Sequence, residues 1–289
     1  MKYPSAPLST KEVHLKTTRV HFDNVLVAVD MSAFSANTVK IAAELAQRSG
    51  SRLIIAHVLD PALMLPPETA ANVKNTLDLW VKPSVRDETR FTSVVVEGDV
   101  VGEISRLAGE YRADLLVIGT HRSEGLVKLI LGSKAETLFR NIGIPVLTVG
   151  PHILSVADRF RSILLPTDLE PHSFRAAQYA VSLAEESAAT LTLLHIPEKN
   201  AGLQSHQTAT TRMEELVPED AALWCKPVFR TAEGTPVETI LAVAGEVKAD
   251  LIVLGITHAR PLADHASWSI ASKVVHQAEC PVLTVRDHF

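Results

Sequence analysis

A glycine-rich stretch in the first half of the chain has the residue types and spacing of an anion-binding loop. Residues 119–133 follow the apolar run 115–118 and lead into a segment with helical character, 134–140. Glycine lets the backbone pass close to a bound group, and a helix start offers unpaired N–H groups and a positive dipole end. The stretch therefore fits a phosphate cradle, but the same glycines could simply end a strand and begin a helix.

A carboxylate stands at the end of the first predicted strand. Residues 24–30 form an apolar run typical of a buried strand, and they end in Asp30. Ser32 or Ser35 can cap the helix that follows, and an Asp at a strand end is itself a common helix cap. Asp30 is therefore either a ligand contact or a cap, and the sequence leaves both open.

No pattern in the sequence commits the chain to catalysis or to a metal. The phosphate-loop pattern Gly-x-x-x-x-Gly-Lys-Ser/Thr and the dinucleotide pattern Gly-x-Gly-x-x-Gly do not occur. His258, His265 and His276 fit no compact metal motif, and no nucleophile is paired with a base. Cys280 is interpreted as a buried thiol and Cys225 as the more reactive of the two.

Composition restricts the class of protein. The 289 residues carry a formal net charge of −5, which argues against non-specific binding to nucleic acid or an anionic membrane. No apolar run reaches the roughly 18 residues of a membrane helix, and residues 1–19 lack the apolar core of a signal peptide. The cysteines form no disulfide framework. We therefore expect a cytoplasmic protein with a loose N-terminal arm and neither nucleic-acid nor membrane partners.

The elements that would position Asp30 and the glycines alternate between strand and helix. The predicted strands are 24–30, 52–59, 91–96, 115–118 and 146–149, and further helices are predicted at 69–80 and 100–110. Such alternation predicts a parallel sheet with helices on both faces. Ligands bind such sheets beyond the carboxyl ends of the strands, where the strand order reverses. If the strands ending at Asp30 and Gly119 are neighbours there, both residues face one crevice.

The second half of the chain repeats the first. Asp168 ends a run like the one before Asp30, and His195 follows Asp168 at the interval at which His57 follows Asp30. Further matches pair 79–83 with 223–227, 113–115 with 249–251, and 145–149 with 281–285. Several matches in register indicate an internal duplication. The predicted division is an arm at 1–19, one domain at 20–150 and a second at 158–289.

From residue 22 to residue 286, the chain resembles a tandem universal stress protein, with two domains of that family in one polypeptide. The resemblance rests on Asp30, His57-Val58, Glu97-Gly98-Asp99, the glycine stretch and Ile144-Pro145-Val146. It implies an adenine nucleotide alpha-hydrolase-like fold, α/β, with two doubly wound parallel five-stranded sheets of strand order 3-2-1-4-5. It also implies pairing of the domains of one chain through their fifth strands, and a homodimer is a further expectation.

The resemblance further implies ATP or a related adenine nucleotide in the crevice, with Mg²⁺ as a candidate companion. Asp30 would then meet the ribose or adenine, Ala28 and Val29 would offer backbone to the base, and Val58 would pack on it. Gly119, Gly132 and Ser133 would hold phosphates, with Gly125 in the same loop. Arg122 replaces the second glycine of the family's Gly-x-x-Gly pattern. It would either hinder close backbone approach or add charge for a phosphate.

The second copy departs from the loop pattern. Pro261 replaces the inner glycine, and Trp268-Ser269 stands where the first copy has Gly132-Ser133. An indole there would fill the space of a phosphate, so a nucleotide is expected in the first domain alone. The resemblance implies a stress-response protein that acts by regulation or partner binding. A slow ATP-hydrolysing enzyme and an assembly module without nucleotide are the alternatives.

Overall fold

The computed structural model describes residues 20–60, 70–86, 88–120, 142–150, 153, 159–170, 173–198, 202–256 and 265–286. Several predicted features lie outside the described residues, namely the arm at 1–19, Arg122, Gly125, Gly132, Ser133, the helix at 134–140, His258 and Pro261. The side chains of His265 and Trp268 are also outside that part of the chain.

The first half contains five strands and three described helices. In chain order these are β1 (Asn24–Val29), α1 (Ala33–Ser49), β2 (Arg52–Leu59), α2 (Ala70–Val81), a 3₁₀ turn (Lys82–Ser84), β3 (Phe91–Glu97), α3 (Val100–Glu110), β4 (Leu115–Gly119) and β5 (Val146–Val149). The predicted elements that fall within the described residues are present, with ends shifted by a residue in places. β1 stops at Val29, so Asp30 is the first residue of the turn and not the last of the strand.

The second half repeats this order. Its elements are β6 (Ser162–Pro166), α4 (Ser173–Ser187), β7 (Thr190–His195), α5 (Leu203–Glu214), a 3₁₀ turn (Ala221–Leu223), β8 (Lys226–Thr231), α6 (Pro236–Glu246), β9 (Leu251–Ile256), α7 (His265–Gln277) and β10 (Val282–Arg286). Among the described residues, no helix combines the length and the apolar character needed to cross a membrane.

The strand order confirms the predicted doubly wound topology in both halves. The sheet runs β3-β2-β1-β4-β5-β10-β9-β6-β7-β8, and the strands within each half are parallel. β1 lies between β2 and β4, with Ala28 opposite both Ala56 and Ile118. The strand order therefore reverses at β1, and in the second half it reverses at β6. The reversal places the carboxyl ends of β1 and β4 side by side.

The two five-stranded sheets are continuous, because β5 and β10 pair in antiparallel fashion to give one ten-stranded sheet. Thr148 lies opposite Val282, and Val146 lies opposite Thr284. The Thr284 hydroxyl also donates to the Val146 carbonyl at 3.2 Å. These final strands are buried throughout, and a buried apolar strand left as an edge would expose unpaired backbone groups.

Alternating side chains build one core layer on each face of this sheet. Val25 and Val27 belong to the layer beneath α1, α2, α4 and α5, whereas Leu26 belongs to the layer beneath α3, α6 and α7. This alternation is the period-two pattern of a strand that is covered on both faces. Each layer contains residues from both halves, so the domains share their hydrophobic core.

A carboxylate fixes the amino end of each central strand pair. Asp114, just before β4, accepts from the backbone N–H of Asp23 at 2.7 Å and of Asn24 at 3.1 Å. Asp250 holds the start of β6 in the same way through the N–H groups of Arg161 and Ser162. Partial burial raises the pKa of both carboxyl groups.

Candidate functional site

The turn after β1 is held in a left-handed conformation by Asp30. Met31 has φ 60°, a region that costs a non-glycine residue about 1–3 kcal/mol. Asp30 Oδ1 accepts from the Ser32 N–H at 3.0 Å and from the Ser35 hydroxyl. Ser32 caps α1, because its Oγ accepts from the Ser35 N–H at 3.2 Å. Asp30 thus has a structural role, but it holds the turn before α1, and the residue that caps the helix is Ser32. A carboxylate offers about four acceptor positions, which allows a ligand contact as well.

His57 ties the end of β2 to the end of β1. Its Nδ1 lies 2.9 Å from the Val29 carbonyl oxygen. A carbonyl only accepts, so Nδ1 carries a proton and donates it to this bond. The sequence assigned no role to this histidine. The sequence does contain a signal for such a role, because the interval between the aspartate and the histidine is the same in the two copies.

Gly119 is required for packing against α1. A Cβ on Gly119 would lie 2.5 Å from the buried Thr38 hydroxyl oxygen, closer than side chains approach one another. The missing side chain therefore lets β4 lie close beneath α1. The predicted contact between this residue and a phosphate remains a prediction.

The structure brings part of the predicted site together. Asp30 and Gly119 lie at the carboxyl ends of neighbouring strands, as expected, and Val58 lies near the end of β2, one strand further. Ala28 sits within the ladder, and the carbonyl of Val29 accepts the bond from His57. The predicted phosphate contacts beyond Gly119 fall outside the described part of the chain.

The second copy has the same turn. Asp168 Oδ1 accepts from the Glu170 N–H at 3.0 Å and from the Ser173 hydroxyl at 2.6 Å. Leu169 has φ 66°, matching Met31. His195 Nδ1 lies 2.9 Å from the Thr167 carbonyl, the distance found at His57 in the first copy. The turn and the histidine bond beside it are thus built twice.

A polar cluster distinguishes the second copy, and the sequence did not reveal it. Thr231 lies beside His195 in the sheet, where the first copy places Val95 beside His57. Thr231 Oγ1 is 2.9 Å from Nδ1 of His206 on α5. The other ring nitrogen of His206 is 3.8 Å from Glu233, so the histidine bridges α5 and the loop after β8.

The two cysteines are buried and unreactive in character. Burial raises the pKa of Cys225 to about 11 and that of Cys280 to about 12. The interpretation of Cys280 as a buried thiol is confirmed. Cys225 is buried as well, and its pKa, although the lower of the two, lies well above the ordinary value of a thiol, so its interpretation as the more reactive thiol stays a prediction. The described residues contain no group of three or more His, Cys, Asp or Glu side chains that could hold a metal ion.

Comparison with known proteins gives matches in both halves. The universal stress protein family model matches residues 21–150 and 159–286. A universal stress protein of Methanocaldococcus jannaschii is 30% identical over 141 residues, covering 44% of this chain and 82% of that relative. The Na⁺/H⁺ antiporter NhaS5 of Synechocystis is 27% identical over 184 residues, covering 63% of this chain and 26% of the antiporter. The chain thus spans about a quarter of that antiporter's length.

A solved structure matches nearly the whole chain. The universal stress protein of Archaeoglobus fulgidus superposes with a TM-score of 0.69, covering 91% of this chain and 96% of its own. At 18% sequence identity, this similarity shows a shared fold and nothing further. It agrees with the tandem α/β arrangement described above.

Proposed function

Because the chain belongs to the universal stress protein family and carries two of its domains in tandem, we propose that it is a regulatory protein of the stress response whose first domain binds ATP or a related adenine nucleotide. The observation that supports this proposal is the placement of Asp30 and Gly119 at the carboxyl ends of adjacent strands. This is the point of strand reversal, where α/β sheets of this type bind ligands.

The nucleoside lies against the ends of β1 and β2 in this proposal. Asp30 accepts a hydrogen bond from the ribose or the adenine in addition to its bonds within the turn. Val58, which is partly buried against the core, provides apolar surface for the base, and the backbone of Ala28 and Val29 borders it. His57 keeps the end of β1 in place through the Val29 carbonyl.

The phosphates extend over the loop that leaves β4. Gly119 begins this loop, Gly132 and Ser133 supply N–H groups at its end, and Gly125 keeps its middle free of a side chain. Arg122 contributes positive charge for the phosphates in this proposal, the second of the two roles considered for it. Mg²⁺ accompanies the phosphates, since it usually binds through substrate phosphates and few protein ligands.

Regulation is the proposed mode of action, in the cytoplasm and through a protein partner. Asp30, the carboxylate at the carboxyl end of β1, is engaged in holding the α1 turn. A general base needs to reach the attacking water in a suitable protonation state. Turnover of labelled ATP by the purified protein distinguishes this proposal from slow hydrolysis: the proposal predicts no release of phosphate above the uncatalysed rate.

Native mass spectrometry and calorimetry test the binding itself. We expect nucleotide to co-purify with the protein or to bind on titration, with one ATP per chain. A folded protein that binds no ATP at millimolar concentration would contradict the proposal and favour an assembly module with empty crevices.

A further inference from the structure

We propose that the outer edge of β3 is a dimerisation surface, on which β3 of a second copy of this chain pairs in antiparallel fashion. β3 and β8 form the two ends of the ten-stranded sheet, and among the described residues no strand pairs with the outer side of either. An edge strand presents unpaired backbone N–H and C=O groups to other chains. The inference concerns this edge and does not depend on nucleotide binding in the first domain.

The two edge strands differ in how they are protected. β8 reads Lys-Pro-Val-Phe-Arg-Thr, and lysine, proline and charge on an edge strand prevent unwanted pairing. Lys226 donates inward to the Ala189 carbonyl at 3.2 Å, so the next residue, Pro227, stands where an N–H would point outward. β3 reads Phe-Thr-Ser-Val-Val-Val-Glu and has none of these protecting residues before Glu97. β8 is therefore blocked for strand addition, whereas β3 is not.

Alternate residues of β3 direct their backbone groups away from the sheet. At the start of the strand, the Leu53 N–H donates to the Arg90 carbonyl at 3.1 Å. At its end, the Gly98 N–H donates to the Leu59 carbonyl at 3.0 Å. Even-numbered residues therefore bond to β2, and odd-numbered residues point outward. The strand residues with outward backbone groups are Phe91, Ser93, Val95 and Glu97.

One antiparallel register pairs all of these outward groups. In this register, Val94 lies opposite its counterpart in the second copy. Phe91 then lies opposite Glu97. Ser93 lies opposite Val95. Each of these pairs joins two residues with outward groups, so each can exchange both hydrogen bonds of an antiparallel ladder. The geometry is that of the joint between β5 and β10, where equivalent residues of the two domains also lie opposite each other.

The side chains and charges of β3 complement a second copy. Residues 91–96 carry no charge, and residues 94–96 are partly exposed valines, which pair well across strands. Ser93 is covered by side chains of α2 that contact its hydroxyl. Arg90 before the strand and Glu97 at its end are both exposed. Antiparallel pairing brings the basic start of one strand beside the acidic end of the other, which favours a second copy in this orientation.

Pairing through β3 gives a closed dimer. The surface is self-complementary, so the two copies use the same edge and are related by a two-fold axis. The outer ends of the combined sheet are then two β8 strands, in which Pro227 and Arg230 oppose further strand addition. The expected homodimer thus acquires a specific surface. An extended peptide of another protein is the alternative occupant of this edge.

Sedimentation equilibrium of the full chain measures the dimer and its dissociation constant. Val94→Arg introduces the residue that β8 has at the equivalent position, Arg230, and places two arginines opposite each other at the axis. It should weaken the dimer at least about tenfold. Val228→Arg makes the same change on β8 and is the matched control, which should leave the dimer unchanged. Phe91→Pro gives β3 the proline that β8 has at Pro227 and should also weaken the dimer at least about tenfold.

Amide hydrogen exchange of the wild type tests the pairing residue by residue. The Val95 and Glu97 N–H groups should exchange at least about tenfold more slowly above the dissociation constant than below it. The Val94 N–H faces β2 and should be protected at both concentrations. Circular dichroism confirms that each variant is folded. A monomeric wild type, including one that takes up an extended peptide, would overturn the proposal. So would a dimer that Val94→Arg leaves intact, or exchange at Val95 that is independent of concentration.

Discussion

Leu147 of β5 lies directly opposite Leu283 of β10, and the two leucines occupy the same position in the two copies of the repeat. A residue that pairs with its own counterpart in an antiparallel ladder marks a local two-fold axis. The strands of the two domains therefore run in opposite directions across the joint. It follows that the Asp30 turn and the Asp168 turn lie on opposite sides of the ten-stranded sheet, each at the carboxyl ends of the strands of its own domain.

Truncation of either leucine should weaken the whole molecule. Leu147 and Leu283 are each 2–3% exposed, so Leu147→Ala or Leu283→Ala should lower the free energy of unfolding by about 2–4 kcal/mol. Urea denaturation measures this change. Leu79→Ala is the control, because Leu79 is 71% exposed and should change stability by less than about 0.5 kcal/mol. Equal stabilities for the core and control variants would contradict a shared core at the joint.

Gly119→Ala should destabilise the first domain through its contact with α1. The new Cβ would meet the Thr38 hydroxyl oxygen at 2.5 Å, and overpacking of this kind costs about 1–3 kcal/mol. Adding Thr38→Ala should recover a substantial part of the loss, which a double-mutant cycle measures. Gly109→Ala is the control, because no atom lies within 4 Å of its added Cβ and a helical alanine is favourable. Strict additivity of the Gly119 and Thr38 changes would refute the steric account.

Neither cysteine should react quickly in the folded protein. With a pKa of about 11 for Cys225, a fraction of about one in a thousand is thiolate at pH 8, and Cys280 ionises even less. Reaction with a thiol-specific reagent should therefore be slow in buffer, and two thiols should react at once in urea. Rapid labelling of either thiol in the native protein would contradict this prediction.

The carboxyl group of Asp114 should make stability fall as the pH rises. Its pKa is raised in the folded state, so the folded protein binds this proton more tightly than the unfolded chain. The contribution of this carboxyl group to the free energy of unfolding is favourable below the pKa of the unfolded chain, about 3.9. It is lost as the pH rises through the higher pKa of the folded protein. Relative to Asp114→Asn, which cannot titrate, the wild type should therefore lose stability across that interval. Unfolding in urea at successive pH values measures the difference. A constant or growing advantage for the wild type would contradict it.

The sequence predicted the elements, because apolar runs and glycines mark strands and turns within a few residues of one another, whereas the strand order followed from the family resemblance. Three features depend on contacts between distant elements and could not be predicted in this way. These are the bond from His57 to Val29, the clearance between Gly119 and Thr38, and the burial of Cys225. In each case the partner or the covering element is separated in sequence and becomes adjacent through folding.

The residues around Asp30 in the sequence indicate only part of its role. The sequence offered a helix cap or a ligand contact, and the structure shows a carboxylate that holds the turn while Ser32 caps the helix. The duplicated arrangement at Asp168 shows that the turn is a property of the repeat. The proposed function assigns the phosphate contacts to the loop beyond Gly119, and substitutions in that loop test the proposal.

Calorimetric titration of Gly132→Val with ATP and with adenosine is the most direct test of the central claim. Valine adds a branched side chain where a phosphate must approach backbone N–H groups, whereas the nucleoside end is untouched. The variant should bind ATP at least about tenfold more weakly and adenosine as the wild type does. Asp30→Asn, which retains one acceptor oxygen for the turn, should weaken both ligands in the first domain. If Gly132→Val stays folded and binds ATP as tightly as the wild type, the glycine stretch is not a phosphate cradle.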